Sequence, residues 1–161
     1  MTTASSPSLP HQPSVGVPLV ASGPAIEPRG EVADVATILD LPVTFLAYAG
    51  VVPPAEMDSR SMRPYLAGET DEHREYVCSG LAGWRLAYDG RFKLITGYYT
   101  GSTAYKNMYE YYLEYNGDRE AMLDAYEPRL YDVEAGETEN VAEDHPDVLQ
   151  DLTGELLPVD G

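Results

Sequence analysis

Three kinds of side chain in this sequence could act as nucleophile, base or ligand: one cysteine, three histidines and 27 carboxylates. A working thiolate needs a base or cation nearby. Cys78 stands instead in "CSGLA" and reads as a small apolar strand residue. His11, His73 and His145 are scattered along the chain. None shows the i,i+4 or short spacing by which histidines share a metal. His11 falls in a Ser/Pro-rich lead, His73 ("DEHREY") is expected at the surface before a strand, and His145 ("EDHP") opens a helix. Carboxylate pairs such as Glu69/Asp71 and Glu143/Asp144 read as solvated faces, because acid is everywhere in this chain.

The charge balance narrows the partners. Against 10 Lys+Arg the carboxylates leave a formal net charge of −17, and the only lysines are Lys93 and Lys106. Such a surface repels nucleic acid and anionic membranes, so neither is an expected partner. An acidic, lysine-poor chain with an ordinary hydrophobic fraction of 43% also suits high salt, where screening removes self-repulsion. A single cysteine permits no intrachain disulfide. No run approaches the roughly 18–20 apolar residues of a membrane span. The start "MTTASSPSLPHQPS" lacks the basic and apolar regions of a signal peptide, which leaves the cytoplasm as the default expectation.

The elements that would position any site come next. Val15 to Ala21 is a short apolar run closed by Ser-Gly-Pro, expected as a buried strand of a parallel sheet. Asp40 before Leu41-Pro42 is an expected N-cap, with a helix running to Gly50. Asp58 or Ser59 is expected to cap a short helix ending near Gly68. The second half is rich in Tyr, Val, Ile, Phe and Trp. "EYVCSG", "WRLAYDG" and "RFKLITGYY" read as strands, with Asp89-Gly90 as a hairpin signal and "PRLYDV" as a fourth strand. Eight of the 13 tyrosines lie between Tyr98 and Tyr126, and Tyr105, Met108, Tyr109, Tyr112 and Tyr115 keep helical spacing. Val148, Leu149, Leu152, Leu156 and Leu157 mark a terminal helix with Pro146 near its start.

Four stretches in order, "VGVPLVASGPAI", "VATILDLPVTFLAYAGVVPPAEMDSRSMRPYLAGE", "GWRLAYDGRFKLI" and "LYDVEAGETENVAED", resemble the C-terminal portion of the formylglycine-dependent sulfatases. That family shows V-P-L near Gly-Pro, D-L-x-x-T-x-L-x-x-A-G with M-D-G-R-S-L, a strand R-x-[WYF]-K-[LY]-I, and L-Y-D-L with E-x-x-N-L-A. The resemblance spans Ser14 to Asp151. It implies an alkaline-phosphatase-like α/β fold whose C-terminal end is a four-stranded antiparallel sheet with a terminal helix. The implied layout is a lead at 1–13, the tail end of the large α/β domain at 14–70, and the antiparallel subdomain at 71–161.

The resemblance also implies a chemistry that this sequence does not spell. The family's nucleophile is a formylglycine made from C/S-x-P-x-R, helped by a divalent cation, usually calcium, and by basic residues. Neither that motif nor an Asp-Asp metal pair is present, so no catalytic or metal residue is assigned and no cofactor is expected within this segment. The likeness fades upstream of Ser14, as though reading begins inside the domain. The chain is therefore expected to be inactive alone, or to be half of a split enzyme that packs on a catalytic sulfatase domain or another subunit. By the family layout, loops of the small subdomain border the pocket mouth. There Trp84 would stack on a substrate ring and Arg85 would pair with an anion, or both simply cover the edge of the sheet.

Overall fold

The computed structural model describes residues 10–11, 15–32, 34–81, 84–97 and 118–156. The tyrosine-rich helix expected at 105–115 lies outside them, as does Leu157. The chain divides into two compact units, Leu19–Val77 and a second made of Met1–Pro18 with Cys78–Gly161.

In the first unit, helix α1 (Asp40–Tyr48) is followed by the single-turn helix α2 (Arg63–Leu66). Both end in the same way. Gly50 and Gly68 take left-handed φ angles of 69° and 73°. Gly50 N–H then donates to Ala47 O (3.3 Å) and Val51 N–H to Leu46 O (2.9 Å). Gly68 N–H donates to Tyr65 O (3.1 Å) and Glu69 N–H to Pro64 O (2.9 Å). These paired bonds satisfy carbonyls that the last turn would otherwise leave open.

The starts of these helices differ from expectation. Leu39 is the residue before α1, with no side-chain cap, and Asp40 is the first helical residue. Its carboxylate is drawn away from the helix end by stronger, charged donors. Likewise Met62 precedes α2, in place of Asp58 or Ser59. Helix α1 is also turned inside out. It buries Asp40, Val43 and Thr44, while Phe45 is 66% and Tyr48 40% exposed. Ile38, Leu39, Val51 and Val52 continue that exposed apolar surface.

The strand expected at Val15–Ala21 is absent. Val17, Leu19 and Val20 are exposed instead. A strand of a parallel sheet forms only when neighbours take up its N–H and C=O groups, and none of the described strands pairs with this run.

The second unit is built on one antiparallel sheet in the order β1-β2-β3-β4: Val77–Leu81, Trp84–Tyr88, Phe92–Gly97 and Arg129–Asp132. Trp84 pairs with Gly97 and Tyr88 with Lys93 across the β2–β3 hairpin. Asp89 N–H donates to Phe92 O, so the two central turn residues are Gly90 and Arg91. Gly90 supplies the positive φ (106°), and Asp89 Oδ1 accepts from Arg91 N–H (2.8 Å) and Phe92 N–H (2.6 Å). The Asp-Gly signal is thus right in place but works as a side-chain clasp around a Gly-first turn.

Successive residues of a strand face opposite sides of the sheet. One side carries Ala87, Phe92, Leu94 and Leu130 and is covered by the terminal helix. Between β3 and β4 in the chain lies α3 (Arg119–Asp124), capped by Asp118 Oδ1 on Ala121 N–H (3.0 Å). The terminal helix α4 (Pro146–Glu155) places Leu152 in the core, with Val148, Leu149 and Leu156 against it. The other side of the sheet gathers Trp84, Leu86, Ile95 and Tyr131.

Candidate functional site

The first unit converges on one carboxylate. Asp40 is fully buried. Oδ2 accepts from Arg74 Nε (2.7 Å) and lies 2.8 Å from His73 Nε2; Oδ1 accepts from Arg74 Nη2 (2.6 Å) and the Arg60 backbone N–H (2.8 Å). Thr44, one turn on, donates to Asp40 O (2.6 Å) and accepts from Met62 N–H (2.8 Å). Both inward polar residues of α1 are therefore spent on fastening the helix to the "MDSRSM" loop and to the segment before β1. Burial alone would raise the Asp40 pKa, but the bonds from Arg74, the Arg60 amide and His73 outweigh it and hold the carboxyl at about 2.

His73, expected at the surface, is 3% exposed. Its partner lies 33 residues away, so no local pattern could have announced it. The open groove beside it, about 450 Å³, is lined by Arg60 and residues 70–75. Asp71, Glu72 and Glu75 line it beside the arginines, a mixed charge that gives no preference for an anion.

The second unit ties two sequence motifs together. Lys93, from the "RFKLI" strand, is 1% exposed. Its ammonium donates to Glu137 Oε1 at 2.5 Å and sits 5.7 Å from the Tyr88 ring. Burial pushes the Lys93 pKa down, against the opposing pull of Glu137. A buried amine of lowered pKa is the kind that serves as a nucleophile, but here its nearest reactive neighbour is the carboxylate that neutralises it. Glu137 adopts φ 54°, next to Gly136 at 94°, which turns its side chain back over the sheet.

Two more clasps complete this junction. Arg91 pairs with Asp132 Oδ2 at 2.9 Å. Asn140 Oδ1 accepts from Leu130 N–H (2.9 Å) and Ala142 N–H (3.2 Å), while Val141 N–H donates to Leu130 O (2.8 Å). The acidic stretch after β4 thus closes the edge of the sheet, which would otherwise offer open backbone groups.

Among the described residues no three of His, Cys, Asp and Glu converge as a metal site requires. Asp40, the best-placed acid, has its oxygens filled by donors that include an arginine, a shell unfit for calcium. Trp84 is 3% exposed and packs with Leu86, Ile95 and Tyr131. The Arg85 guanidinium lies 3.6 Å from Asp124. Cys78 Sγ donates to Glu155 O (3.1 Å) in β1, as a strand residue. His145 precedes α4 with its ring 4.8 Å from Phe92. No described helix is long and apolar enough to cross a membrane.

No protein-family model matches the chain. It is 26% identical over 152 residues to arylsulfatase K of Xenopus laevis, a match that takes in 92% of this chain and 26% of that protein. Its fold superposes on the structure of a 2-O GAG sulfatase with a TM-score of 0.57 and 25% identity, over 83% of this chain and 27% of the other. The chain thus spans about a quarter of the length of the relatives it matches. Relatives in sequence and in fold alike are sulfatases, and the chain is similar to a C-terminal portion of such proteins, with a four-stranded antiparallel sheet and a terminal helix.

Proposed function

We propose that this chain is the scaffold end of a sulfuric ester hydrolase, and that the nucleophile and metal site come from another segment, in cis or from a partner polypeptide. The observation that carries this reading is helix α1. It spends its polar residues inward on Asp40 and Thr44 and presents Phe45 and Tyr48 outward. An element apolar on its outer side is one made to be covered. The sequence supports the same reading, since C/S-x-P-x-R is nowhere in the 161 residues.

Under this proposal formylglycine and calcium act in the catalytic segment. The residues here position: the Asp40 cluster keeps α1 in place, and the Lys93–Glu137 pair holds the closing loop on the sheet. Arg85 is the side chain proposed to meet an anionic substrate, because Trp84 is committed to the core. Co-expression with the polypeptide encoded directly upstream tests the proposal. A co-purifying complex that hydrolyses an aryl sulfate is the expected result, and failure of any upstream sulfatase-like segment to associate overturns it.

A further inference from the structure

Helix α4 carries two stripes that work against each other. Of its ten residues only Leu152 is buried, with Val148 and Leu149 half-buried beside it against Ala87, Phe92, Leu94 and Leu130. A helix this short does not hold itself together in water, so this apolar seat keeps it formed. The outward stripe is Asp147, Asp151 and Glu155, all exposed and spaced four residues apart. Side chains at that spacing are neighbours, about 5–6 Å apart at Cβ, and like charges there repel. Glu155 also stands in the last turn, where the helix dipole disfavours an anion.

The surrounding charge offers the stripe no relief. From Leu130 to Gly161 the chain has ten Asp+Glu and no Lys or Arg. Helix α4 packs on β2 and β3. The cations of those strands and of their hairpin are engaged elsewhere: Arg85 with Asp124, Lys93 with Glu137 and Arg91 with Asp132. Among the described residues no ion pair reaches Asp147, Asp151 or Glu155. His145 keeps its ring against Phe92. Exposed Glu143 and Asp144 precede the helix, where its dipole favours acids, so the repulsion is concentrated along the outer stripe.

We propose that ionic strength sets the seating of α4: salt holds it on the sheet, and low salt loosens it while the β2–β3 hairpin stays paired. The distances decide this. The screening length is about 10 Å at 0.1 M salt and about 3 Å at 1 M. Charges about 5–6 Å apart therefore repel at the lower concentration and are screened at the higher. The device belongs to α4 itself and holds whatever supplies the catalytic groups.

Hydrogen exchange of the intact 161-residue chain tests it. Between about 0.1 and 2 M KCl the α4 amides from Leu149 onward should slow about three- to tenfold, and the β2–β3 amides less than about twofold. Choline chloride at equal ionic strength should act alike. Slowing by KCl alone would mean a bound cation and overturns the proposal. So does α4 exchange that ignores salt, or a hairpin that slows equally. Asp151→Lys, at an exposed position, turns both like-charge pairs into attractive ones, and its α4 should lose or reverse the salt response. A variant that keeps the full response would show general salting-out of the apolar core, which also overturns the proposal.

Discussion

Replacing Asp40 with Asn tests how the first unit is held together. The carboxylate is fully buried and takes donors from Arg74 twice, from His73 and from the Arg60 amide. Asparagine keeps one acceptor, loses the charge, and points an NH₂ at groups that are themselves donors. Breaking a buried ion pair from one side costs about 3–5 kcal/mol. Arg74 is 23% exposed, so it regains water and the low end, about 3 kcal/mol, applies. The unit Leu19–Val77 has 59 residues, worth about 6 kcal/mol at roughly 0.1 kcal/mol per residue. Half its stability would go. Hydrogen exchange of the α1 amides and of Met62 N–H should accelerate roughly 100-fold, since 1.4 kcal/mol is a factor of ten. Acceleration under about threefold would refute the view that Asp40 fastens this unit.

The remaining outcomes follow from the same contacts. The Asp40 pKa falls from 3.8 to about 2 on folding, so its stabilisation is whole above pH 4 and is lost as pH falls toward 2. After discounting for screening at Arg74 this is about 1–2 kcal/mol, and acid titration of Asp40→Asn should lack that component. Glu137→Ala should destabilise the second unit by about 3 kcal/mol in urea, while Lys93→Met with Glu137→Leu should be close to neutral, because the pair's attraction is offset by its desolvation. Asn140→Ala should cost about 1–2 kcal/mol by leaving Leu130 N–H without its acceptor, and Asn140→Asp should cost less. Gly50→Ala should cost about 1 kcal/mol from its positive φ alone, as nothing lies within 4 Å of the added carbon.

What the sequence disclosed was whatever local chemistry decides. The Asp89-Gly90 clasp, the glycine helix stops at Gly50 and Gly68, and the α4 stripe through Leu152 are each set by residues within a turn or two of one another. Asp40 and His73 were misjudged for the opposite reason. An N-cap and a charged surface stretch are local readings, and a partner 33 residues away overrode both. Lys93 did carry a signal: a lysine inside a continuously apolar strand must find a counter-charge. The identity of that partner, Glu137, depended on the left-handed turn at Gly136 and Glu137, which composition does not specify. The run at Val15–Ala21 shows the reverse limit, since strand-like sequence makes no strand without neighbours to pair with.

The central claim, that this chain is sulfatase scaffold whose reacting groups lie elsewhere, is tested most directly by turnover. The purified 161-residue chain is given 4-nitrophenyl sulfate with and without calcium, and 4-nitrophenolate release is followed against buffer. The account predicts a rate equal to buffer in both. Saturable release that co-elutes with the chain would contradict it.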